Sequence, residues 1–227
     1  MRHFAERSLG RWAMPACFGL LALAVCAASP SALAHDIHTV RSALRATAVL
    51  GRLRFPTSTK SKPAQAAFIR GMLWLHLFEY PNALAEFQEA ERLDPDYVMA
   101  YWGEAMTSTH AIWSQDDPAA ARAALAKLAA TPQQRTDKVG TARERAYLDA
   151  AEQLFGSGTL KERDVAFLKA MEALAQAYPD DDDAQLFHAL ALLGVTRGER
   201  NVPNFLHAAD IAKRVYARNP RHPGAAH

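Results

Sequence analysis

The stretch AFIRGMLWLHLFEYPNALAEFQEAERLDP, residues 67–95, decides the fold of this chain. Its apolar residues recur at three- and four-residue spacing on either side of Pro81, the pattern of two amphipathic helices joined by a short turn. The stretch also fits the signature of a 34-residue helix-turn-helix repeat. With Pro95 at the closing proline, Gly71 takes the glycine position, Trp74 the aromatic position, and Ala83, Phe87 and Ala90 the second-helix positions. Small residues let two antiparallel helices approach closely, and Phe87 fills the space between them. Arg70 and Ala67 miss two further positions of the signature.

Downstream the pattern weakens but persists. Pro118 and Ala120 lie 37 residues after Pro81 and Ala83, which places the same turn after a slightly longer first helix. A third unit runs from Thr141 to Pro179 with Ala166, Ala170 and Ala173 in the second helix, and a looser fourth ends at Pro220 with Ala208 and Ala212 in frame. No convincing alternating strand is present. The expected fold is all-α, a right-handed superhelical solenoid of about four antiparallel helix pairs over residues 63–227. Residues 35–62, with a short helix over 40–50 and then the breaker Phe55-Pro56-Thr57-Ser58, read as an arm that covers an edge.

Upstream of the arm, Arg2, Arg7 and Arg11 precede an apolar run over 13–28 that ends in Ala32-Leu33-Ala34, which reads as a secretory signal cleaved after Ala34. The run is too short for a comfortable span of about 20 residues. The leader carries three of the 26 Lys and Arg and one of the 24 Asp and Glu, so 23 of each remain and bulk charge gives no reason to expect nucleic acid. Cys17 and Cys26 leave with it, which removes disulfides, Cys-ligated zinc and a Cys nucleophile from the mature chain. A competing reading makes Leu23-Ala24-Val25-Cys26 a lipoprotein acylation site. The expected location is periplasmic or secreted.

The strings LRFPTS, residues 67–95, AYWGEAMTSTHAIW, YPDDDDAQLFHALALLG and NPRHPGAAH together resemble a group of exported bacterial tetratricopeptide-repeat proteins, over most of the chain from about Leu50 to His227. The resemblance implies a repeat fold and export far better than it implies a partner. Similar proteins continue past the last string with further repeats and more histidines, so the chain is expected to be a fragment without a polar terminal cap, prone to self-association through its final apolar face.

In this repeat type the first helix of each unit lines a concave groove. The positions involved are Gln65, Phe68, Met72, Leu75 and His76 in the first unit, and Met99, Trp102, Met106, Thr109 and His110 in the second. Such an apolar, Met-rich surface suits an extended peptide or an amphipathic helix, which makes a non-catalytic protein- or peptide-binding scaffold the leading functional expectation. The alternative is that these side chains are core, covered by the arm or by further repeats. Phe68, Met72, Trp102 and Met106 stand where the carboxylate-clamp subtype has Lys and Asn, which argues against capture of a free peptide C-terminus by that clamp.

A second functional expectation is metal binding by histidine, with copper or zinc as the ion. His76 and His110 hold equivalent positions in consecutive units, and His35 would join its imidazole to a free amine three residues before His38. Each of these can equally be an isolated histidine. His222 and His227 are five apart, a poor helical spacing for chelation. The run Asp180 to Asp183 precedes an apolar helix and reads first as capping; it lacks the glycine and distal Glu of a calcium loop. No His-Glu-x-x-His, Gly-x-Ser-x-Gly or phosphate-loop motif is present, so neither an enzyme nor a cofactor is expected.

Overall fold

Ser61 opens the helical part of the chain. Its hydroxyl accepts from the Ala64 amide and Pro63 sits in the first turn, so α1 (Lys62–His76) starts with its end groups satisfied. The computed structural model describes residues 49–227. The expected leader and cleavage site, His35, His38 and nearly all of the stretch expected as a short helix over 40–50 lie outside the described residues.

Phe78, in left-handed conformation at φ 59°, turns the chain after α1, and Pro81 lies in the first turn of α2 (Tyr80–Leu93). The two helices pack as an antiparallel pair on the interface that residues 67–95 predict. A Cβ on Gly71 would lie 2.6 Å from Cε1 of Phe87, and one on Gly103 in α3 (Val98–Met106) only 2.4 Å from the same atom. Phe87 is therefore gripped between two glycines on two helices, and the second of them is outside the frame read from the sequence.

The second unit departs from expectation. Its first helix is shorter, ending at Met106, because Thr107 turns its hydroxyl back to the Glu104 carbonyl (2.7 Å) and the polar, β-branched run Thr107-Ser108-Thr109 disfavours continuation. Thr109 and His110 then form a two-residue strand, β1, paired antiparallel with β2 (Gln115–Asp116) around a 3-10 turn over Ala111–Trp113. Arg197 anchors this ribbon. Its guanidinium donates to Asp116 (2.8 Å) and to both oxygens of Asp164 (2.6 and 2.7 Å).

The remaining helices are capped as their sequences suggest. Asp117 caps α4 (Pro118–Leu128), Thr131 caps the short α5 (Pro132–Asp137) and Thr141 caps α6 (Ala142–Leu154). Thr159 caps α7 (Leu160–Ala177) in a reciprocal box with Glu162, Asp181 caps α8 (Asp182–Gly194) and Asn201 caps α9 (Val202–Arg218). A short α10 (Pro223–Ala226) follows. The described residues thus form an all-helical, repeat-like chain in which α1/α2, α3/α4, α6/α7 and α8/α9 pack as consecutive pairs. No described helix is long and apolar enough to cross a membrane.

The residues expected along an open groove are mostly core. Phe68, Met72, Met99, Trp102 and Met106 are buried, as are Leu75 and His76, while Gln65, Thr109 and His110 are half-buried. The extended arm provides the cover. Phe55 packs against Phe68 (5.2 Å between ring centres), Trp102 (6.1 Å) and Tyr147 (4.9 Å), under the Arg143 guanidinium at 4.1 Å. Gln65 spends its amide on the Phe55 carbonyl (2.9 Å). The arm is held on its other side by Ser58, whose amide donates to Glu144 (2.8 Å), and by Thr57, whose hydroxyl donates to Tyr97 (2.8 Å).

Candidate metal centre

Three side chains far apart in sequence meet where the first helix approaches the end of the described chain. His76 is the last residue of α1, Asp183 lies in the first turn of α8, and His222 precedes Pro223 at the start of α10. One ligand atom from each lies within 4.8 Å of the other two. His76 Nε2 is 2.8 Å from Asp183 Oδ1 and His222 Nε2 is 3.4 Å from the same oxygen, while the two imidazoles stand edge to face at 4.8 Å.

Local sequence explains each placement. Asp181 takes the capping role at α8, so Asp183, two residues on, turns inward at the positive end of the helix. Phe187, one turn later on the same helix, packs on the His76 ring at 5.2 Å. Gly224 permits the approach of α10, because a Cβ there would lie 2.4 Å from His76 Nδ1. Arg221 contributes its carbonyl to the Arg52 amide (2.7 Å), which joins this segment to the arm.

The cluster is buried and incompletely satisfied. Asp183 and His222 have no exposed surface and His76 is 8% exposed. Among the described residues, Asp183 Oδ2 and His222 Nδ1 have no hydrogen-bond partner and His222 Nε2 has only the long contact to Asp183 Oδ1, an unusual concentration of poorly satisfied polar atoms in three residues. Burial alone would raise the Asp183 carboxyl, but the adjoining imidazoles of His222 and His76 reverse this and hold it well below the usual carboxylate range. An ionised carboxylate only accepts, so His76 donates through Nε2–H. Burial lowers the His76 imidazole, more than the Asp183 contact raises it.

Both shifts have the same sign in stability. Protons bind the unfolded chain more readily, at His76 from about 6.5 downward and at Asp183 from about 3.8 downward, so acidification favours unfolding. In zinc-free buffer the melting temperature is expected to fall from about pH 7.5 to about pH 5, with a shallower fall in His76→Gln. A flat or rising profile, or an unchanged slope in the variant, contradicts the assignment.

Two neutral imidazoles and a carboxylate are a donor set that a divalent transition metal accepts. A tetrahedral zinc ion with bonds of about 2.0–2.1 Å holds its donors about 3.3 Å apart. The separations of 2.8 and 3.4 Å at Asp183 lie on either side of that value and all three donors lie within 4.8 Å of one another, so closing on an ion takes a small movement of the imidazoles. The unsatisfied atoms are of the kind an ion would engage, so the residues fit the group.

Of the histidines expected as metal ligands, His76 alone belongs to this centre among the described residues; His222, set aside in the sequence for its poor helical spacing from His227, joins it. His110 does not pair with it; its ring stacks on Tyr80 at 3.8 Å and its Nε2 lies 3.2 Å from the Thr107 carbonyl. His227 lies beside the centre without joining it, its Nδ1 3.3 Å from the His76 carbonyl. Asp183 was read as part of a capping run and His222 as a poor partner for His227, and neither was expected to meet His76. The one sequence signal for them was an aspartate left over once Asp181 caps the helix, and a histidine fixed directly before Pro-Gly. No protein-family model matches the chain, and neither curated proteins nor solved structures give a significant match.

Proposed function

We propose that this protein is a non-catalytic, exported scaffold of the tetratricopeptide-repeat type that binds a divalent transition metal, zinc best fitting the donors, through His76, Asp183 and His222. The observation that carries the reading is the buried His-Asp-His cluster with unsatisfied polar atoms on two of its three members. Such atoms cost about 1–3 kcal/mol each when left unpaired, and an ion would engage one nitrogen of His222 and a carboxylate oxygen of Asp183. The repeat assignment draws on the four consecutive helix pairs and on Phe87 seated between Gly71 and Gly103; the export assignment draws on the leader sequence.

The donors come from the first helix and from the last helices of the described chain, so the ion would join the two ends of the helical array. Three protein donors leave the remaining position of a tetrahedral ion to a non-protein donor. The test is calorimetric titration of chelator-treated protein with zinc chloride. One ion per chain is expected, with an affinity at least about 100-fold weaker in His222→Ala, in line with the loss of one of three ligands. Wild-type protein that takes up no zinc rejects the proposal.

A further inference from the structure

Beside the centre, between α1, the 3-10 turn, α8, α9 and α10, lies a cavity of about 250 Å³. Leu190 and Leu193 from α8 and Phe205 and Ala212 from α9 make its walls apolar. A dry cavity of roughly 150 Å³ holds benzene, so this volume suits roughly ten non-hydrogen atoms.

The cavity has a polar handle. His76 and Gly224 both line it, and the glycine sits against the Nδ1 edge of the His76 ring. Nε2 of this ring is directed at Asp183, whereas Nδ1 makes no hydrogen bond to any described residue. It is also not among the fully sealed unsatisfied atoms, in contrast to both nitrogens of His222. A metal-bound imidazole ordinarily donates its second N–H to a carboxylate or a carbonyl. Among the described residues none offers His76 Nδ1 such an acceptor.

We infer that the cavity binds a small monocarboxylate with an apolar tail, its carboxylate accepting from His76 Nδ1–H and its tail lying between α8 and α9. The carboxylate head rests on the metal reading above, while the tail rests on the cavity alone. Without metal, the single imidazole proton is on Nε2, donated to Asp183, and Nδ1 only accepts. A neutral imidazole that gave Nε2 to zinc would have to carry its one proton on Nδ1 instead, and Nδ1 would then be a donor. Metal therefore changes which head group the cavity prefers, and by linkage the ligand strengthens metal binding by the same factor.

Octanoate and octan-1-ol, each of about the right size, test this by calorimetry on the intact chain. Metal-free protein should bind octan-1-ol, whose hydroxyl donates to Nδ1, and octanoate at least tenfold more weakly. Zinc-loaded protein should bind octanoate at least tenfold more tightly than metal-free protein does, and Ala212→Trp, which fills the cavity without touching a metal ligand, should abolish both at unchanged zinc affinity. In cobalt-substituted protein, octanoate should leave the visible ligand-field bands nearly unchanged. A large spectral change would mean direct coordination and would overturn the His76 assignment; undiminished octanoate binding in zinc-loaded Ala212→Trp would overturn the cavity site. Should zinc fail to bind, the metal reading and the carboxylate preference fall together. Octan-1-ol binding blocked by Ala212→Trp would then retain the cavity, and its absence would remove it.

Discussion

Asp183→Ala is expected to abolish the zinc-dependent rise in melting temperature altogether. In wild-type protein an ion at 100 times its dissociation constant adds about 2.7 kcal/mol to stability, because it binds the folded chain and has no assembled site in the unfolded one. Asp183 is the one anionic member of the proposed centre and lies 2.8 and 3.4 Å from the two histidine nitrogens, so its removal is expected to dismantle the site rather than weaken it. The metal-free variant should also be less stable by about 3–5 kcal/mol, the usual cost of removing one partner from a buried pair. Asp183→Asn separates the two effects. Its amide oxygen can still accept from His76 Nε2, which preserves much of the metal-free stability, but it is a poor zinc ligand. Zinc stabilisation of Asp183→Asn equal to that of wild type would remove the carboxylate from the centre.

The first helix pair was legible because its determinants are local. Pro81, Pro95 and the spacing of Gly71, Ala83, Phe87 and Ala90 all fall within one repeat length, and the structure seats Phe87 against Gly71 as that spacing requires. The second unit was less legible because a periodic frame cannot see an early stop. Thr107 ends α3 by bonding to Glu104, and the register that aligned His110 with His76 ceases to apply four residues before His110. The centre itself was hidden for a different reason. His76, Asp183 and His222 are separated by 107 and 39 positions, so no local motif connects them. Packing of α8 near the end of α1 brings Asp183 to His76, and the closure of α10 onto α1, permitted by Gly224 and by the Arg52–Arg221 backbone bond, adds His222.

Trp102→Ala is the second large effect, and it decides between groove and core. As the central residue of an open groove, Trp102 could be truncated with loss of a partner and little loss of stability. In the structure it is 2% exposed and enclosed by Phe55 of the arm, Tyr147 of α6 and Phe187 of α8, with ring centres at 6.1, 5.4 and 5.5 Å. Removing the indole leaves a void that three aromatic neighbours on separate segments cannot close together, so unfolding free energy should fall by about 3–5 kcal/mol in urea titration. The loss should extend to the metal centre, since Phe187 packs on both Trp102 and His76. Zinc affinity is thus expected to weaken in Trp102→Ala even though no ligand has changed. A variant within about 1 kcal/mol of wild type would mean that the arm is readily displaced, which would return Trp102, Met72 and Phe68 to the surface as a binding groove.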